Sequence, residues 1–459
     1  MDIDINYLLL VLGSVTAFVF FIFLVYLADI LYGFLIWLLA ATLLGKEIFL
    51  LSIPGLPDIY LERIVFLFLI PVVLLMISRE REALLPNTAV EYLMALLLLI
   101  LVGSMWRTGF LTTRMGEDQP FSIFLTGFFF PFSFYYFGKL FLYKEERIRL
   151  LLWGLFPFYL YLIFIAYLEH FKVFELIVPG YISDPLKGIH FGRARGPFLN
   201  APVNGWVMLT LFFSVLYLRN ISESILAKTI LFLALLFGLP PIFYTYTRAV
   251  WLAFLIAPII LMALTKDMII RARFIMFPLI LLILLSFFFW ENLGSSERQA
   301  GGVMQISEVE DRIALFNISV AIFKEVPIFG VGFGRFISAI PYFAPGIAAP
   351  GATAFASQHN ILFGILSEVG LLGAVPFVLI LFFVFRYSQV LYRRLGEEGI
   401  ISRNLVAVFW SILIVYLISA SFIQTQYFIA ANALTFLWVG MIVGLYQRQE
   451  EEPDLVEAV

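Results

Sequence analysis

The sequence predicts an all-α, polytopic transmembrane bundle of about 12 or 13 spans, and three observations carry that expectation. Of 459 residues, 62% are hydrophobic and 13% charged, too few polar groups to solvate a water-soluble globule of this size. Apolar runs of roughly 18 residues or more recur from end to end, each able to cross a hydrocarbon core of about 30 Å as a helix. The runs are rich in Leu, Ile and Phe and lack the polar/apolar alternation of barrel strands, so the spans are helices.

In chain order, the runs bounded by charge or turn residues place candidate spans near 7–27, 28–44, 61–78, 89–106, 121–142, 149–168, 201–218, 224–240, 247–265, 272–290, 359–385, 404–421 and 428–446. The start, Met1-Asp2-Ile3-Asp4, is acidic where a cleavable signal would be basic, so the first run is expected to stay in the chain. If 7–44 forms a hairpin around Asp29 there are about 13 spans; if it is one long or broken crossing there are about 12.

Charge placement orients the bundle. Basic connectors at Arg79 to Arg81, Lys144 to Arg149, Arg219 with Lys228, Lys266 with Arg271 and Arg273, and Arg386 to Arg403 alternate with other loops and are expected on the cytoplasmic side. That puts 45–60, 107–120, 169–200, 241–247, 291–358 and 422–427 outside. The organisation is then 1–290 as N-terminal transmembrane helices, 291–358 as one large external loop, 359–446 as C-terminal transmembrane helices and 447–459 as an acidic cytoplasmic tail. No internal repeat or separate soluble domain is visible.

A connection as long as 291–358 is expected to hold structure of its own. Ser307, Glu308, Glu310 and Asp311 form a capping-box-like start, Ile313, Phe316, Val320 and Phe323 recur at helical spacing, and Pro327 follows. The spacing predicts an amphipathic helix over 308–325, lying on the membrane or on the bundle. Gly330-Val331-Gly332-Phe333-Gly334-Arg335-Phe336 then predicts a tight, flexible turn. It is not a dinucleotide fingerprint, since no strand precedes it and no ordinary helix start is expected after it.

Composition also excludes functions. Cys is absent, so disulfides and thiolate metal sites are ruled out, and His170, His190 and His359 are too few for a multi-histidine centre. No metal and no cofactor are expected, and a net charge of -3 points to no nucleic-acid partner.

Five polar clusters on the external side run against the topological bias. They are Arg193-Ala194-Arg195 leading to Asn200, Thr247-Arg248, Asp311-Arg312, Arg335 in the glycine turn, and Ser357-Gln358-His359-Asn360 opening a helix that runs through Glu368. Guanidinium groups at several helix mouths suit a phosphate or diphosphate, because Arg stays charged and binds such oxygens in pairs, and helix N-termini add partial positive charge. His359 could accept a hydroxyl proton, and an intramembrane carboxylate such as Glu368 is functional or paired. Plainer readings stand beside these. Interfacial arginines snorkel to lipid headgroups, Arg312 could pair with Glu308 one turn back, and a lone histidine can serve only a helix end.

Together the clusters resemble the membrane glycosyltransferases that include bacterial O-antigen ligases and the O-antigen or exopolysaccharide polymerases. The resemblance covers roughly 190–375. It rests on Arg193-Ala194-Arg195-Gly196-Pro197-Phe198-Leu199-Asn200, Thr247-Arg248, Asp311-Arg312-Ile313-Ala314-Leu315-Phe316, and Val326 to Gly334. Ser357-Gln358-His359-Asn360-Ile361-Leu362 followed by Ser367-Glu368-Val369-Gly370 completes it. It implies a GT-C-like, metal-independent, inverting enzyme of the bacterial inner membrane with its site on the periplasmic side. Such an enzyme moves a glycan from an undecaprenyl-type polyprenyl diphosphate donor to a sugar or lipid A-core-like acceptor among membrane lipids.

By position, Arg193 or Arg195, Arg248 and Arg312 would hold the diphosphate. His359 would orient or deprotonate the acceptor, and Asn200, Gln358, Asn360, Arg335 and Glu368 would support it. The segment Asn200-Ala201-Pro202-Val203-Asn204 departs from a more compact Asn-Pro-Asn run. Ligase activity is the leading expectation. A repeat-unit polymerase, a transporter of lipid-linked sugars, or a non-catalytic scaffold for polysaccharide-assembly partners are the alternatives.

Overall fold

The computed structural model describes residues 29–45, 47–52, 57–80, 84–112, 118–264, 307–343, 345 and 358–451. Among them, nine helices are long and apolar enough to cross a membrane, and two shorter apolar helices accompany them. The polytopic helical bundle expected from composition is the architecture observed. The expected spans 7–27 and 272–290 lie outside the described residues.

Two compact units divide the chain at residue 86. In the first, α1 (Ile30–Leu43) packs on α2 (Leu61–Arg79), with a two-residue antiparallel ladder, β1 (Leu50–Leu51) to β2 (Ile59–Tyr60), between them. Asp29 caps α1 by accepting the Leu31 N–H at 2.9 Å. The 14 residues of α1 are fewer than the roughly 20 that a straight crossing takes.

The second unit holds α3 (Ala89–Thr108), α4 (Pro120–Phe141, with a π turn at Leu125–Phe129), α5 (Glu145–His170), α6 (Ala201–Ile221), α7 (Ile225–Tyr244) and α8 (Arg248–Leu264). It continues with α9 (Ser307–Glu325), α10 (Phe336–Phe343), α11 (Ile361–Arg394), α12 (Arg403–Phe422) and α13 (Ile429–Glu451). Each described span begins and ends within a few residues of its apolar run, except α11, which continues to Arg394 where the run was expected to stop near 385.

The centre of this unit is α4 against α13. A Cβ at Gly138 would overlap Leu437 O and one at Gly440 would overlap Tyr135 O, so small residues let these backbones approach. One charged pair is buried beside this contact: Lys139 Nζ lies 2.5 Å from Glu91 Oε1. Tyr135 donates to the same oxygen, while Oε2 of Glu91 accepts the Thr88 hydroxyl and N–H. Both oxygens of the carboxylate are thereby engaged, as a charge inside a membrane span requires.

Contacts sort the connectors into two ends. At one end Glu145 accepts the Ile400 and Ile401 N–H groups, Arg448 lies 3.7 Å from the Tyr143 ring centre, and Arg394 meets Glu450 at 3.3 Å. The opposite end gathers 109–112, 171–200, 245–247 and 423–428, and the candidate residues lie there.

One face of α9 rests on α10. Leu315, Ile318 and Ile322 pack with Phe336, Ala339 and Ile340 of α10, whereas Ile313 and Phe316 are 55% and 43% exposed. The helix carries apolar residues on two sides, and α10 takes one of them. Phe316 instead packs edge-to-face with Phe363 of α11, with centroids 4.8 Å apart.

Candidate functional site

The segment 171–200 is built around Arg195. Its side chain is 1% exposed, and it donates to Ile182 O at 2.8 Å, Asp184 O at 2.7 Å and Lys187 O at 2.5 Å. Nε stands 3.9 Å from Glu169 Oε1 at the end of α5, and Glu169 Oε2 accepts the Gly196 N–H at 3.0 Å. Burial lowers the pKa of Arg195, and the charges of Glu169 and Asp184 act against that shift. This guanidinium gathers loop carbonyls rather than facing an open cleft.

Arg193, two residues earlier, is buried at 5% exposure, and burial pushes its pKa down to about 10, so it stays charged at neutral pH. Between the two, the Ala194 N–H donates to Tyr244 O at 3.0 Å and Ala194 O accepts from Asn204 Nδ2 at 3.0 Å. The basic pair is thereby fixed to the end of α7 and the first turn of α6. Asn200 is the N-cap of α6, accepting the Val203 N–H at 3.3 Å. The two asparagines that depart from a compact run thus divide the work: Asn200 caps the helix and Asn204 holds the loop.

Arg248 opens α8 after a turn in which Tyr246 has φ of 45° and the Thr247 hydroxyl donates to Thr245 O at 2.9 Å. The preceding Tyr244 stacks on His170 with centroids 3.7 Å apart. Arg248 is exposed. Arg312, on α9, is also exposed, and its guanidinium lies 5.4 Å over the Phe422 ring. Its pKa is lowered first by the protein crowded around the guanidinium and second by the charge of Arg248. Two like charges from different helices therefore share one space.

The 358–360 turn joins the same corner. Asn360 caps α11 by accepting the Leu362 and Phe363 N–H groups at 2.9 and 3.1 Å, and its Nδ2 donates to Ser421 O at 3.2 Å. Ser421 adjoins Phe422, the ring under Arg312, so both turn and guanidinium rest on the last residues of α12. His359 sits between buried Gln358 and the cap, half-buried, with φ of 51°. A left-handed backbone is uncommon for a residue with a Cβ and marks a position fixed by its surroundings.

Glu368 and Arg335 lie deeper. Glu368 is 3% exposed; Oε2 accepts the Gly334 N–H at 3.0 Å and Oε1 accepts from Gln358 Nε2 at 3.2 Å. Arg335 is 2% exposed and donates to Thr108 O and Gly109 O at 3.0 and 3.1 Å, so its charge meets the carbonyl end of α3. The 330–334 turn is tight as expected, but it is buried and held by neighbours. α10 begins two residues beyond it, where no helix start was expected. Arg107 supports the turn as well, donating to Phe329 O and Gly330 O at 3.2 and 3.0 Å.

The structure thus brings Arg248, Arg312 and the His359 turn to one corner. Arg193 is fixed at the same end of the bundle, while Arg195 and Arg335 are occupied by backbone carbonyls. Glu169 and Arg107 are not among the residues the sequence points to. Glu169 falls one residue past the expected span 149–168, and Arg107 is a cation in an expected external connector like those that were noticed. Among the described residues, no group of three or more His, Asp or Glu is gathered as metal ligands would be.

A multi-pass helical membrane protein with an arginine-rich corner at one end of its bundle is the class that fold and site define. Residues 233–378 match the family model described as O-antigen ligase, and this part of the chain is O-antigen ligase-like. The matched segment includes Arg248, Arg312, Arg335, His359 and Glu368; Arg193, Arg195 and Asn200 precede it. A comparison with curated proteins finds no match.

Proposed function

We propose that the chain is a glycosyltransferase that moves an oligosaccharide or polysaccharide from a polyprenyl diphosphate to an acceptor sugar hydroxyl, in the manner of an O-antigen ligase. The observation that carries this reading is the convergence of Arg248 and Arg312 beside the His359 turn, within the family-matched segment. Two mutually repelling guanidinium groups are poised for a multiply charged anion that offsets their repulsion.

In the reaction, the acceptor hydroxyl oxygen attacks the anomeric carbon from the face opposite the diphosphate, inverting that centre. The anomeric C–O bond to the diphosphate breaks, and its electron pair leaves with the phosphate oxygen. Arg248 and Arg312 stabilise the charge that develops there, with Arg193 as a third cation at the same end. His359 orients the hydroxyl and takes its proton. Because the diphosphate is a good leaving group, the arginines carry more of the acceleration than the base.

On this reading the site lies on the periplasmic face of a bacterial inner membrane, with the C-terminus in the cytoplasm. Support comes from the other end of the bundle, where Lys144, Arg147, Arg149, Arg393, Arg394, Arg403 and Arg448 collect as the positive-inside rule expects. Ligation to a lipid A-core-like acceptor is favoured over repeat-unit polymerisation. Incubating the purified protein with a polyprenyl-diphosphate glycan tests both: a glycan on a new acceptor supports ligation, and a longer chain on the same carrier supports polymerisation. A glycosidic bond formed in detergent, with no second compartment, argues against a transporter of lipid-linked sugars.

A further inference from the structure

The helix α11 is not continuous. Gly370 has φ of 69° and ψ of -159°, and at this break the 326–334 turn is laid into the helix. Val331 N–H donates to Ser367 O at 3.0 Å, Gly332 N–H to Glu368 O at 2.8 Å, Leu371 N–H to Pro327 O at 2.8 Å and Leu372 N–H to Ile328 O at 3.3 Å. Each unit supplies the partners the other lacks, which is how irregular backbone is tolerated inside a membrane protein. The inserted turn is the direct continuation of α9, the helix that carries Arg312.

From the other direction, Gln358 precedes α11, yet its side chain runs down the helix as far as Glu368. It passes over Gly364, where a Cβ would lie 3.6 Å from Gln358 Cδ, so a larger residue would close that path. Gln358 is the immediate neighbour of His359. The two lines meet on one buried carboxylate, with Gly334 N–H on Oε2 and Gln358 Nε2 on Oε1. Both contacts use the carboxylate as an acceptor, one on each oxygen, so a second carboxylate at position 358 would set acceptor against acceptor at Oε1.

We propose that Glu368 is a positioning residue that fixes the Arg312 helix against the His359 turn by accepting a hydrogen bond from each with opposite oxygens of its carboxylate. Its work is to keep the leaving-group clamp and the acceptor base in register, a task in which small displacements carry large rate penalties. This rests on the roles given above to Arg312 and His359.

The test uses the full chain in detergent or nanodiscs, with Glu368→Gln, Gln358→Glu and the double exchange. Gln358→Glu, which sets two carboxylates against each other, is expected to lower turnover by about tenfold or more while the protein retains polyprenyl diphosphate as the parent does; Glu368→Gln loses less, because the Gln358 amide turns and accepts from the new side chain. The double exchange restores both contacts, because the amide now at position 368 accepts from the Gly334 N–H and donates to the carboxylate now at position 358. It is expected to recover turnover to within about threefold of the parent. A carboxylate that served only bulk stability would show no such reciprocal rescue. Turnover of Gln358→Glu equal to the parent, or a double variant no faster than Gln358→Glu, overturns the proposal.

Amide hydrogen exchange reads the clasp without activity. Faster exchange at 331–335 and 358–361 in Gln358→Glu, reversed in the double, is expected, and unchanged exchange overturns it. If Arg248, Arg312 and His359 variants transferred normally, the functional reading would fail while the exchange result still decided the clasp. Where Gln358→Glu does not fold, Gly364→Val dislodges Gln358 instead. It is expected to lower turnover similarly while exchange at 331–334 stays slow; full turnover in Gly364→Val overturns the proposal.

Discussion

Arg312 of α9 feels the positive charge of Arg248 at the mouth of α8, and that charge adds to the crowding that lowers the Arg312 pKa. Two cations held near one another store repulsion that an anion relieves. A charge-assisted contact of this kind contributes about 1.5–3 kcal/mol, so Arg248→Ala and Arg312→Ala should each weaken polyprenyl diphosphate binding by roughly tenfold to a hundredfold. Lysine at either position should restore only part of the loss, because it binds as a point charge without the planar fork. Binding of a radiolabelled, glycan-free polyprenyl diphosphate measures this.

Arg195 should behave differently although it lies in the same sequence cluster as Arg193. Its removal leaves Glu169 buried at the end of α5 and three loop carbonyls without their donor. Leaving a buried acceptor without its donor costs about 1–3 kcal/mol, so Arg195→Ala should lower thermal stability in detergent and expose 171–200 to protease. Arg193→Ala should instead show the larger defect in diphosphate binding.

Gly330 and Gly370 mark the break in α11. Both have positive φ, and a Cβ at Gly330 would overlap the Glu368 backbone while one at Gly370 would overlap Ile328 O. Alanine at either should destabilise the chain by about 2 kcal/mol or more, read as a lower midpoint in thermal unfolding.

Membrane spans were legible because the bilayer sets their length. The runs at 61–78, 89–106, 201–218 and 404–421 reappear as α2, α3, α6 and α12 with ends shifted by a few residues at most. The cationic positions were legible too, but not what each cation touches. Arg195 and Arg335 resemble ligand arginines in sequence, and only the fold shows that carbonyls of 182–187 and of 108–109 occupy them. Helical spacing marks both the Ile313 and Phe316 side of α9 and its Leu315, Ile318 and Ile322 side, and only the fold shows that α10 packs on the second. Nothing local to Glu368 announces that the Gly334 N–H and Gln358 Nε2 both donate to it.

The buried pair of Glu91 and Lys139 supplies a prediction away from the site. Lys139→Met leaves a carboxylate in a membrane span without its cation and should cost about 3–5 kcal/mol, whereas Glu91→Gln with Lys139→Met should recover much of it. Thermal unfolding of the single and double variants in one detergent compares them directly.

The most direct test of the central claim is transfer of a glycan from a polyprenyl diphosphate by the purified chain and its Arg248→Ala, Arg312→Ala and His359→Ala variants. The two arginine variants should lose about a hundredfold or more of turnover, and His359→Ala should lose less, because the leaving group is good and the clamp carries more of the acceleration. Transfer at the parent rate by all three variants would contradict the account.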